Sequence, residues 1–231
     1  MLRLLAGFLS GNVEIVDLLL HVCVLAFVTL CCLPVHECAH AWMADKLGDP
    51  TGRLKGRISF NPMDHLSLRG TLMLLIFGFG YAKPVPVNIR NFKNRKLHFA
   101  VTALAGPVAN LILGIIFTII GLVCSLIYSA NSSVVLRIAF AFFDYVAYYN
   151  IALAVFNLIP FPPLDGSRIL AVILPDNLYY KMLEYERYLF YALFALLFVF
   201  SRIGISPVGS IAEFIQGGIY DIFYFFIGIF L

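Results

Sequence analysis

The chain has 231 residues, of which 61% are hydrophobic and only 13% charged, with mean hydropathy +0.93. Soluble domains run about 45–50% apolar and about 25% charged, and disordered chains are poorer still in apolar residues, so both classes are excluded and an integral membrane protein is left. The net charge of +3 and the lack of any aromatic-lined basic motif argue against a nucleic-acid partner.

A membrane-spanning helix needs about 20 apolar residues. Val16–Ala44 is the first such stretch, and no secretory cleavage site precedes it. The five cysteines all lie in apolar stretches, which suits membrane packing better than a disulfide framework. Arg53–Phe60 and Val85–Ile89 alternate polar and apolar residues, so a small β-sheet at the membrane interface is expected from them, with Pro84 and Pro86 confining the second to an edge. Between them Leu72–Tyr81 is apolar but too short to span and reads as a re-entrant or interfacial segment. Phe99–Ile127 and Val134–Ile159 are full spans, and Tyr188–Ile205 and Val208–Leu231 are further candidates. The expected architecture is therefore an all-α polytopic membrane protein of about four to six helices. It forms one membrane-embedded domain, with a core over about 15–170 and C-terminal helices over about 184–231. Ten of the sixteen basic residues fall between Lys46 and Lys96, which places that stretch on the cytoplasmic side. The first helix then ends there, the second leaves, and the third returns.

The feature that carries chemistry is His36-Glu37-Cys38-Ala39-His40 inside the first span. Residues four apart share a helix face, so both imidazoles can reach one zinc ion, and Glu37 can serve as general base toward water activated by it. Chance alone supplies roughly 0.002 such matches in a chain of this composition. Ionisable residues within a span also mark function by default. Lys46 marks the membrane boundary, so His40 and His36 lie roughly 9–15 Å below it at 1.5 Å per residue. Pro34, one turn earlier, should kink the helix.

A catalytic zinc takes three protein ligands and keeps one position open. Cys32 shares the histidine face, but Cys32, His36 and His40 would climb roughly 11 Å, too far for one ion. Asp64 and His65 stay open as third ligands. Asp165 is the better placed, because Pro160, Pro162 and Pro163 end the third span just before it and topology returns it to the depth of the histidines. Asp144, Asn150 and Asn157 on the third span are candidates for a polar path to the metal, with a bond from Asp144 to a tyrosine such as Tyr148 as the plainer role. Asn110 reads as helix-packing glue.

With these residues in place, the sequence resembles the site-2 protease family of zinc intramembrane metalloproteases, in its compact form without PDZ or CBS domains. The resemblance runs from about Leu19 to Ile169. It rests on His36–His40, Leu47-Gly48-Asp49-Pro50-Thr51, Gly56–Pro62, Ala82–Asn88, Ala105-Gly106-Pro107-Val108-Ala109-Asn110 and Phe156–Gly166. It implies His36, His40 and Asp165 as ligands of one Zn2+, Glu37 as catalytic acid/base, and Asn157 as an active-site polar residue aiding the oxyanion. It implies transmembrane protein substrates within the bilayer and a prokaryotic cell membrane with the site nearer the cytoplasm. Ser67 stands where the family often has an aspartate, two residues after His65. A metal-binding transporter or channel is the alternative, since buried His, Glu and Asp also build ion pathways. Internal repeats, which would favour it, are not visible.

Overall fold

The computed structural model describes residues 14–67 and 83–230. The stretch Leu72–Tyr81, read above as re-entrant, lies outside the described residues.

The first span is one long helix with a widened turn in it. Helix α1 (Ile15–Phe27) passes through a π-helical turn (Val28–Cys32) into α2 (Leu33–Lys46). Pro34 sits in the first turn of α2. It brings no N–H and its ring crowds the carbonyl one turn back. The π turn just before it absorbs that mismatch, and Leu33 N–H reaches the carbonyl of Val28. The expected kink is thus a local widening, next to the His36–His40 motif.

Two short turns follow, α3 (Thr51–Leu54) and α4 (Pro62–His65), and a 3-10 turn at Ile89–Asn91. Helix α5 (Arg95–Asn131) is capped by the Asn94 side chain, which accepts from Leu97 N–H, and stops at Ser132 in the left-handed region (φ 50°). Helix α6 (Val134–Leu158) ends before Pro160, because the residue before a proline is excluded from helical geometry; Ile159 has ψ 127°. Four helices complete the chain: α7 (Gly166–Ile173), α8 (Asp176–Glu184), α9 (Glu186–Arg202) and α10 (Pro207–Phe230).

Among the described residues three helices are long and apolar enough to cross a membrane: Ile15–Lys46, Arg95–Ala130 and Val134–Leu158. The protein is an all-helical integral membrane protein. Of the further spans expected, α9 has 17 residues, about 26 Å at 1.5 Å per residue and short of a hydrocarbon core of about 30 Å. Helix α10 carries Glu213 and Asp221. Neither joins the three.

Among the described residues no β-strand forms, so the expected small sheet is not seen. Thr51–Leu54 winds into a helical turn, and Gly56 closes it with φ +69°. Ile58–Phe60 and Lys83–Asn88 are irregular. Pro84 and Pro86 offer no N–H to a ladder, and a side chain holds the second segment instead. Asp49, fully buried, accepts from Asn88 N–H (2.7 Å) and Asn91 Nδ2 (2.7 Å) as well as from Thr51 N–H (3.2 Å). Period-2 alternation thus marks half-buried, unpaired chain at Val85–Val87, whereas in Arg53–Phe60 it falls on a helical turn and a bend with Leu54 and Phe60 exposed.

Helix α5 is the central element and packs on α6, on α2 and on α7. Val24, Val28, Cys32 and Val146 form the buried core where the first span meets α6. Small residues allow the close approach: a Cβ on Gly114 would stand 2.5 Å from Ile151 Cγ1.

Candidate metal centre

The order of spans brings the start of α5, the end of α6 and the end of α2 to one side, the side of the basic loop. The proline loop then turns back. A Cβ on Gly166 would lie 2.3 Å from the carbonyl of Leu158, so only glycine lets α7 start across the end of α6. Asp165, immediately before it, is delivered to α2.

His36 Nε2 and His40 Nε2 are 3.0 Å apart, and each lies 3.3 Å from Asp165 Oδ2. Donors about 2.0–2.1 Å from one tetrahedral ion stand about 3.3–3.4 Å from one another, so this triangle has the dimensions of three zinc ligands with a fourth position open. It is the only such His/Cys/Asp/Glu group among the described residues. His40 Nδ1–H donates to the carbonyl of Thr102 at 2.8 Å, which fixes the tautomer and turns the Nε2 lone pair to the centre. Both imidazoles are buried. Three acceptor atoms converging in an apolar span ask for a cation between them.

Gly106 closes the back of the site. A Cβ there would fall 2.3 Å from His40 Nε2 and 2.6 Å from His36 Cε1. Glu37 is half-buried on the residue after His36. Asn157 is half-buried on the last turn of α6, and its Nδ2 donates to the carbonyl of Leu153 (3.0 Å).

The other expected residues go elsewhere. His65 is fully buried, but its Nε2 bonds the carbonyl of Ser59 (2.8 Å), and the Asp64 backbone carbonyl accepts from Arg57. Neither joins the triangle. Asp144 does bond a tyrosine, but that tyrosine is Tyr220 of α10, not Tyr148, with Gln216 Nε2 donating to Asp144 Oδ1 at 3.0 Å. Asn150 is fully buried and donates to Cys32 Sγ (3.3 Å) and to the carbonyl of Val146 (2.8 Å). Sequence reasoning missed the Thr102 carbonyl, which has no side-chain signal, and the part Gly106 plays. Its spacing with Asn110 and Gly114, four residues each way on one face of α5, was the available clue.

An all-helical membrane protein with a His-His-Asp centre beside a glutamate defines a membrane-embedded zinc metallopeptidase. Residues 123–200, which include the proline loop and Asp165, match the model of Peptidase family M50. The chain is 40% identical over 181 residues to YwhC of Bacillus subtilis (strain 168), a protein named as a candidate zinc metalloprotease, and the match covers 76% of this chain and 77% of that one. The chain belongs to Peptidase family M50 and is a zinc-dependent hydrolase. No solved structure matches it.

Proposed function

We propose that this peptidase cuts within the bilayer, hydrolysing peptide bonds in or near transmembrane segments of substrate proteins, as in regulated intramembrane proteolysis. The observation that carries the reading is the position of the centre. His36 and His40 lie ten and six residues inside the end of an apolar span, and Asp165 returns to them from a proline loop. A metallopeptidase acting on soluble chains has no need of ligands at that depth.

His36, His40 and Asp165 hold the zinc. When bound, it lowers the pKa of a water molecule and polarises the scissile carbonyl. Glu37 takes the proton of the attacking water and delivers it to the leaving amine. Asn157, freed from Leu153, donates its amide to the developing oxyanion. A substrate helix hides its carbonyls in its own hydrogen bonds, so it must unwind before it is cut. The basic loop faces the cytoplasm by the positive-inside rule.

The test compares wild type with Glu37→Gln, purified in detergent, on a panel of single-span substrates, with bound zinc measured in both. We expect one zinc in each and a cut inside the span by wild type alone. Zinc in both, no cut by wild type, and Glu37-dependent metal flux in liposomes would favour a transporter and sink the protease reading.

A further inference from the structure

The two histidines of the centre are not supported alike. His40 Nδ1 has the Thr102 carbonyl, whereas His36 Nδ1 is buried and has no hydrogen-bond partner. A metal-ligating histidine almost always gives its second ring N–H to an acceptor, and that acceptor sets both its tautomer and its orientation. A second orphan lies close by. Asn110 is fully buried within α5, and both its Oδ1 and its Nδ2 are without partners. A buried carboxamide with neither end satisfied is costly in an apolar span.

Helix geometry places the two orphans within one turn of each other. Gly106 faces His36 and His40, and Gly114 faces Ala147 and Ile151. Asn110 is four residues from each and shares their face. The first span and α5 run in opposite directions, so one turn beyond Gly106 on α5 is one turn before His36 on the first span, the level of Cys32. Cys32 bonds Asn150, whose Oδ1 is also buried and unpartnered. Helical side chains lean toward their own N-terminus, which tilts the His36 ring toward this same layer.

We infer that Asn110 is the outer-shell partner of His36: its carboxamide oxygen accepts the His36 Nδ1–H, directly or through one buried water that Asn150 Oδ1 also holds. Asn110 is then a positioning residue for the zinc site rather than packing between helices. The inference rests on the metallopeptidase reading given above. It also explains the placement of a polar side chain on a face whose neighbouring positions are both glycine.

The test uses the full chain in detergent. Zinc affinity is measured by competition with a chromophoric chelator for wild type, Asn110→Leu and Asn110→Asp. The visible spectrum of each Co2+-loaded protein reports ligand geometry. We expect Asn110→Leu to bind zinc 10–100-fold more weakly, the loss typical of a missing outer-shell partner, and to shift the Co2+ bands. Asn110→Asp, which keeps an oxygen acceptor, should restore both. A folded Asn110→Leu protein with wild-type affinity and wild-type bands would overturn the inference. So would a loss that Asn110→Asp fails to restore, since that marks a packing defect. Should Asn110→Leu not fold, the 15N resonance of His36 Nδ1 in zinc-loaded, histidine-labelled protein decides: it must move between wild type and Asn110→Asp, and an unmoved resonance would equally overturn the idea. A wild type that binds no zinc would sink the metallopeptidase reading and this inference together, whereas a zinc-binding wild type with an unaffected variant sinks this inference alone.

Discussion

At the scale of single residues, Gly106 shows how little room the centre leaves. Adding one methyl would put carbon 2.3 Å from a ligand nitrogen, and the obstacle is a buried imidazole wedged between helices, not the end of a flexible chain. Gly106→Ala must therefore push His40 out of the triangle or push α5 off α2. We expect it to lose most of its zinc and about 1–3 kcal/mol of stability. Gly218→Ala, mid-helix in α10 with nothing within 4 Å, is the control and should keep its zinc and lose no stability. Metal analysis and thermal unfolding in detergent check both. Asp49 is the second residue with a definite consequence. Burial works to raise its carboxyl, but the hydrogen bonds from Thr51, Asn88 and Asn91 prevail and hold it below the usual range. A folded-state pKa below the unfolded value of about 3.9 gives stability that is present above about pH 4 and is lost as the pH falls through the folded value. Asp49→Ala should cost about 1.5–3 kcal/mol near pH 7, and its deficit against wild type should shrink on acidification. Unfolding midpoints from pH 7 down to pH 3 test the sign. A deficit that grows with acid would show the carboxylate is not the stabilising form.

Elements explain why part of the structure was legible in advance. The spans could be read because about 20 apolar residues in a row have few other solutions. The turn of α6 at Ile159 followed from the prolines after it. The short segments could not be read the same way. Alternation in Val85–Ile89 is met equally by a paired strand and by single chain held through Asn88 and Asn91 by Asp49, and in Arg53–Phe60 it falls on a helical turn and a bend with Leu54 and Phe60 exposed. The attachment of α10 was also hidden, because Asp144 has several tyrosines within sequence reach and only packing selects Tyr220. That attachment is testable. Gln216 donates both to the Asp144 carboxylate and to its backbone carbonyl, at 3.0 and 3.2 Å, and hydrogen bonds of this kind inside membranes are worth about 0.6 kcal/mol on average, up to about 1.7. Gln216→Leu combined with Tyr220→Phe should thus loosen α10 by about 1–3 kcal/mol while leaving zinc content unchanged. Limited proteolysis between α9 and α10, around Gly204, should accelerate in the double variant. Equal rates would mean that apolar packing, not this polar cluster, holds α10 to α6.

For the whole molecule, the depth of the centre turns the arrangement of helices into a statement about products. Three helices build the centre: two histidines come from the first span, an aspartate is delivered after the third, and a backbone carbonyl and a glycine wall come from the helix between them. His36 and His40 could be recognised from their spacing alone. Asp165 needed the topology as well, because an aspartate after three prolines is otherwise a turn residue. The two histidines of the centre sit on a long apolar helix and not on a surface loop. On the proposed intramembrane reading, the bond to be cut comes to the centre at roughly 9–15 Å below the basic-side boundary. A substrate span that stays helical up to the site would present a bond roughly 6–10 residues inside its own basic-side end, at 1.5 Å per residue. Mass spectrometry of the fragments from single-span substrates should place the cut in that window. Lengthening the substrate by leucines on the far side of the cut should leave the position unchanged, because depth is counted from the basic side. Inserting leucines on the near side should move the cut along the sequence by the number inserted. Cutting that follows a fixed residue motif through both insertions would show that substrate sequence, rather than the depth of His36 and His40, selects the bond.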